Sequence, residues 1–138
     1  MAIRCVPAAE PFTVKTKEGD LHVSLKTLGQ TASSQVLGIF RKYMKEEGGK
    51  LVVTLGLDDY PTLVRDMIDV AVLGLDAVEG LVDAGGDPVE YPKGEADRYQ
   101  FLDRNFKPGW TQQVALEVFT RSTVSEEDAG NSSSPHGS

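Results

Sequence analysis

Apolar and polar residues alternate with a period of two along Phe12-Thr13-Val14-Lys15-Thr16-Lys17 and again along Leu21-His22-Val23-Ser24-Leu25-Lys26. That period turns one face of a strand inward and leaves the other in water. Glu18-Gly19-Asp20 separates the two runs, so together they predict a β-hairpin. Phe12 and Val14 share a face, as do Leu21, Val23 and Leu25, while lysines on the other face discourage edge-to-edge association. The period then changes. Val36, Leu37, Phe40, Tyr43 and Met44 recur at steps of three and four. They predict a helix from an N-cap at Ser33 or Ser34 to about Glu47, stopped by Gly48-Gly49. Leu51-Val52-Val53-Thr54-Leu55 is short and rich in β-branched residues. It reads as a strand, with the start of a longer helical region as the alternative. In Gly56-Leu57-Asp58-Asp59-Tyr60-Pro61, Asp58 or Asp59 suits an N-cap and Pro61 a first helical turn. The helix that follows has a wide apolar face of Leu63, Val64, Met67, Ile68, Ala71, Val72 and Leu75, which places it at the centre of the core. Arg65, Asp66 and Asp69 fall off that face.

Two short apolar pieces, Leu81-Val82 and Val89 with Tyr91, flank Asp83-Ala84-Gly85-Gly86-Asp87-Pro88. Gly85 and Gly86 tolerate positive φ and Pro88 cannot donate to a central ladder, so a small hairpin or Ω-like turn is expected between two helical halves. Tyr99, Leu102 and Phe106 predict a helix over 95–106, and Pro108-Gly109 breaks it. Trp110, Val114 and Val118, with Ala115 and Phe119 alongside, predict another. From Thr123 the apolar content falls away into Ser125-Glu126-Glu127-Asp128 and a Gly/Asn/Ser/Pro ending. The predicted fold class is α+β: an N-terminal β-hairpin or small sheet packed against a mainly helical C-terminal part, with a flexible C-terminal tail. The expected organisation is one compact domain over 1–122 and a flexible acidic, Ser-rich tail over 123–138.

The chain has 138 residues, enough for a real core. Its net charge of -7 argues against a duplex nucleic-acid partner, which demands a basic face. The longest apolar run, around Val70-Ala71-Val72-Leu73, is too short to span a membrane. Met1-Ala2-Ile3-Arg4 leads into no apolar h-region, so no secretory leader is expected. Cys5 is the single cysteine, which fits a reducing compartment.

Catalysis needs a positioned set of groups, and none is legible here. Cys5 lacks the context of a nucleophile, and the only histidines are His22, on a polar strand face, and His136, in the tail. Asp66 and Asp69 lie close enough on one helix to pair at a metal, but no third ligand accompanies them. Asp83 and Asp87 bracket a glycine turn and read as turn chemistry, since the spacing matches neither an EF-hand nor a phosphate loop. No catalytic residue, cofactor or metal site is therefore expected. The chain reads as a non-enzymatic binding or assembly protein. Its aromatic residues gather late in the sequence. They serve a second half of the core or, in Tyr99, Phe106, Trp110 and Phe119, a partner surface.

The order of features resembles the tail assembly chaperones of long-tailed bacteriophages. The N-terminal hairpin, the central helix leading into Val78-Glu79-Gly80-Leu81-Val82-Asp83, the glycine turn with Pro88-Val89-Glu90-Tyr91-Pro92, and the aromatic helix from Trp110 to Thr120 carry the likeness. The closing Ser125-Glu126-Glu127-Asp128-Ala129-Gly130-Asn131-Ser132 adds to it. The resemblance implies a protein that escorts the tape-measure protein in the host cytoplasm while tail-tube protein polymerises around it. It implies two forms, the longer made by ribosomal frameshift, and absence from the finished virion. Homo-oligomerisation stays open. The alternatives are a structural morphogenesis protein, such as a head–tail completion factor or minor virion protein, and a host-directed inhibitor.

Overall fold

The computed structural model describes residues 9–55 and 60–133. Strands β1 (Ala9–Thr16) and β2 (Gly19–Lys26) form the expected hairpin, with Phe12 opposite Val23 and Val14 opposite Leu21. Val14, Leu21, Val23 and Leu25 are buried, so the alternation is the burial pattern. A third strand, β5 (Leu75–Glu79), pairs antiparallel on the other side of β2 and completes a sheet in the order β1-β2-β5. β5 has no counterpart among the sequence expectations, which ended the central helix at Leu75. Leu75 is instead the first residue of the strand and is fully buried.

The outer edge of β1 is covered. Gln113 accepts a hydrogen bond from the Lys15 amide at 2.8 Å and donates one to its carbonyl at 2.7 Å. Arg121 donates to the Pro11 carbonyl at 3.3 Å, and Pro11 has no N–H to satisfy. These contacts from the last helix blunt an edge that would otherwise recruit another strand.

The helical part consists of α1 (Gln30–Phe40), α2 (Tyr60–Gly74), α3 (Glu95–Asn105) and α4 (Pro108–Ser133). α1 starts at Gly29, without a side-chain cap, and not at Ser33 or Ser34. It also stops early. A 3-10 turn (Arg41–Tyr43) ends it, and Met44–Glu47 is a strand, β3, paired with β4 (Lys50–Val53) in a separate hairpin. The helix expected to run to Glu47 is thus corrected. Gly48 and Gly49 take φ of 58° and 80°, and successive positive φ values make a tight reversal that matches strand twist. The same Gly-Gly pair that reads as a helix stop therefore closes a hairpin, and Leu51–Val53 is strand, as expected. The proposed caps Asp58 and Asp59 lie outside the described residues.

α2 is the centre of the core, as its apolar face predicts: Leu63, Met67, Ile68, Val70, Ala71 and Val72 are buried. α4 packs across it. Gly74 sits so close to Val118 that a Cβ there would lie 2.3 Å from Val118 Cγ2. Phe40 of α1 stacks on Phe119 of α4 with ring centroids 4.4 Å apart. Between β5 and α3 the chain makes the expected glycine turn. Val82 and Pro88 bridge, Gly86 has φ of 87°, and Asp83 Oδ1 accepts from the amides of Gly85 and Asp87 at 2.9 and 3.0 Å. Of the residues assigned to a tail, those to Ser133 continue the backbone of α4. The last five lie outside the described residues. Among the described residues, no helix is long and apolar enough to cross a membrane.

Candidate functional site

α1 and α3 both lie against α2, and the space they leave between them is an open groove. Its volume is about 690 Å3, within the range of ligand and peptide sites. Gly38 and Ile39 come from α1, Val72 and Leu73 from α2, and Ala96 and Tyr99 from α3, so the walls are mostly apolar. Lys42, Asp69 and Glu95 supply charge at the margins. The helical spacing explains the lining. Ile39 lies beside the buried Phe40, and Leu73 beside the buried Val72, each at the shoulder of a packed stripe.

No close packing accounts for Gly38. A Cβ added there would meet nothing within 4 Å, yet glycine within a helix costs roughly 0.5–1 kcal/mol relative to alanine. It lines the groove, where a missing side chain lets an occupant approach the α1 backbone.

Lys42 at the margin is anchored. Its Nζ is 2.8 Å from Asp66 Oδ2, and the Tyr43 hydroxyl donates to the same oxygen at 2.5 Å. Asp66 is only 7% exposed. The sequence pattern put it with the solvated charges, so its position is a correction. Long-range partners satisfy the carboxylate, and a buried charge is tolerated only when so satisfied. Asp69, one turn further on, stays at the groove margin. Burial first, and the charge of Asp66 second, push its carboxyl above the ordinary range, with Arg65 and Lys42 offsetting in part. Burial likewise raises the Tyr99 hydroxyl, helped by the charges of Asp69 and Asp103. Among the described residues no group of three or more His, Cys, Asp or Glu is placed to hold an ion.

The four aromatic residues singled out by sequence go to different places. Tyr99 lines the groove. Phe106 is 7% exposed and meets Trp110 edge-on at 5.7 Å. Trp110 is half-buried beneath Lys107, whose Nζ lies 5.6 Å from its ring. Phe119 is half-buried against Phe40. His22 is exposed, with Nδ1 3.4 Å from Thr13 Oγ1. Cys5 and His136 lie outside the described residues. Sequence reasoning missed Gly38, Ile39 and Leu73. The one available signal was a glycine inside a helical pattern with no turn to make. Compared with family models, curated proteins and solved structures, the chain matches none.

Proposed function

We propose that this chain is a non-enzymatic tail assembly chaperone of a long-tailed bacteriophage, acting in the host cytoplasm by holding helical segments of the tape-measure protein in the groove between α1, α2 and α3. The observation that carries this is Gly38: a helix-interior glycine with no internal packing reason, lining an apolar groove. An amphipathic helix laid in a groove is anchored by side chains at i, i+3, i+4 and i+7, and close backbone approach favours a small residue beneath it. A protein that covers such stripes keeps a long helical partner from associating through them before tail-tube protein does so.

The test is co-expression with the tape-measure protein of the same phage. The wild-type chain should keep it soluble and co-purify with it. Gly38→Leu, which fills the groove, should lose both effects while melting no lower than the wild type, since leucine is a better helix former than glycine. A tape-measure protein left insoluble by the wild type, or equally well held by Gly38→Leu, would overturn the proposal. Abundant chain in purified mature virions would favour a structural role instead.

A further inference from the structure

Val72, Leu73 and Glu95 also line a second cavity, of about 410 Å3, that adjoins the groove. Its chemistry differs. Lys26 at the end of β2, Lys93 on the approach to α3 and Arg98 within α3 face it, against the single carboxylate of Glu95. Three cations at one cavity weigh heavily in a chain of net charge -7 with 14 lysines and arginines. Among the described residues Lys26 and Lys93 form no ion pair. Arg98 is held by neutral groups: Nε donates to the Pro92 carbonyl at 2.7 Å, and the guanidinium lies 4.7 Å from the Tyr91 ring. Its position is fixed, and among the described residues it forms no ion pair. In the groove itself the balance differs, because Lys42 is already matched by Asp66 while Asp69 forms no ion pair among the described residues, and Glu95 lies where the two cavities meet. The groove is apolar, with Asp69 at its margin, and the cavity beside it is cationic.

We infer that the bound helix carries carboxylates just beyond one end of its apolar stripe, and that Lys26, Lys93 and Arg98 select them. This inference rests on the helix-binding reading of the groove and adds to it the charge order, hence the register, of the bound segment. Complementary charge fixes register, and like charge placed over it rejects the wrong one.

Four synthetic peptides test it. Three share one amphipathic stripe of leucines and end in Glu-Glu-Asp, Gln-Gln-Asn or Lys-Lys-Lys, and the fourth ends in Glu-Glu-Asp without the leucines. Binding to the full chain is read by fluorescence anisotropy at low and raised salt. Of the leucine peptides, the acidic-ended one should bind about tenfold tighter than the lysine-ended one, and salt should erase the difference. Lys26→Glu combined with Lys93→Glu should invert the preference with unchanged melting, a readout that a merely structural role for these lysines would not give.

Equal affinity for the three leucine peptides, or a preference that survives the double reversal, would overturn the inference. If the lysine-ended peptide binds tightest while the tape-measure protein still co-purifies, the charge order fails and the chaperone reading stands. If no peptide binds, the inference fails, and the chaperone reading fails with it only where the tape-measure protein does not co-purify. An acidic peptide without leucines that binds as well would make the cavity a free anion site, against the inference. So would self-association of the chain that the double reversal abolishes, which would make a second copy the occupant.

Discussion

Gly74→Ala tests the packing at the heart of the fold. Gly74 is the last residue of α2 and is buried. A Cβ there would fall 2.3 Å from Val118 Cγ2, 2.9 Å from Cγ1 and 3.2 Å from Cβ. Real carbon contacts do not approach so closely, so α2 and α4 must part or Val118 must turn. Val118 is 3% exposed and β-branched, and in a helix such a side chain has one strongly preferred rotamer. Overpacking of this kind costs about 1–3 kcal/mol. Replacing glycine in a helix returns roughly 0.5–1 kcal/mol at best, and less at the final residue. The net expectation is a loss of about 1–2 kcal/mol, or ~3–8 °C in melting temperature for a chain of this size.

Urea unfolding followed by circular dichroism measures it, with an unchanged m-value showing that compactness is kept. Val118→Ala supplies the control. Alone it removes two buried methyl groups and should cost about 1.5–3 kcal/mol. In combination the two methyl clashes disappear and only the 3.2 Å contact with the residue-118 Cβ remains, so Gly74→Ala should add little to the loss from Val118→Ala. Strict additivity of the two losses, or a neutral Gly74→Ala, would show that the helices do not meet through this pair.

Two further substitutions probe polar groups. The Tyr91 hydroxyl is buried with no hydrogen-bond partner among the described residues, and burial pushes its pKa up to about 12. Tyr91→Phe should therefore stabilise the fold by up to about 1 kcal/mol, because it removes an unpaired buried dipole while keeping the ring against Phe101; a clear loss in a thermal melt would mean that the hydroxyl has a partner. Asp69 has its pKa raised above 3.8, chiefly by burial and then by Asp66. The folded chain thus binds that proton more readily than the unfolded one, and the stability linked to it is full below pH 3.8 and lost as pH rises through the raised value. Asp69→Asn should melt higher than wild type at pH 7, with the advantage fading on acidification; a constant difference across the pH series would show that ionisation is not its source.

How far the sequence reached differs from element to element. β1 and β2 were legible because their alternation is strict and their turn is local. The helices α2, α3 and α4 were legible because Leu63 to Val72, Tyr99 to Phe106 and Trp110 to Phe119 repeat at steps of three and four. β5 was not: Leu75–Glu79 is too short to show a period, and its partner β2 lies some fifty residues back in the chain. The end of α1 was misread because Gly48-Gly49 serves a helix stop and a tight hairpin turn equally well. Asp66 looked solvated because its partners, Lys42 and Tyr43, are 24 and 23 residues away.

The amino-acid order by itself determined the local periods, the turn chemistry around Asp83 to Pro88, the charge balance and the α+β class, because each depends on neighbours along the chain. Only the tertiary structure decided the third strand, the burial of Asp66, and the adjoining cavities that bring together Gly38, Ile39 and Tyr99 in one and Lys26, Lys93 and Arg98 in the other. Those arrangements depend on which helices approach α2 and how closely. That distance is set by contacts such as Gly74 with Val118, between residues that carry no mark of each other in the sequence.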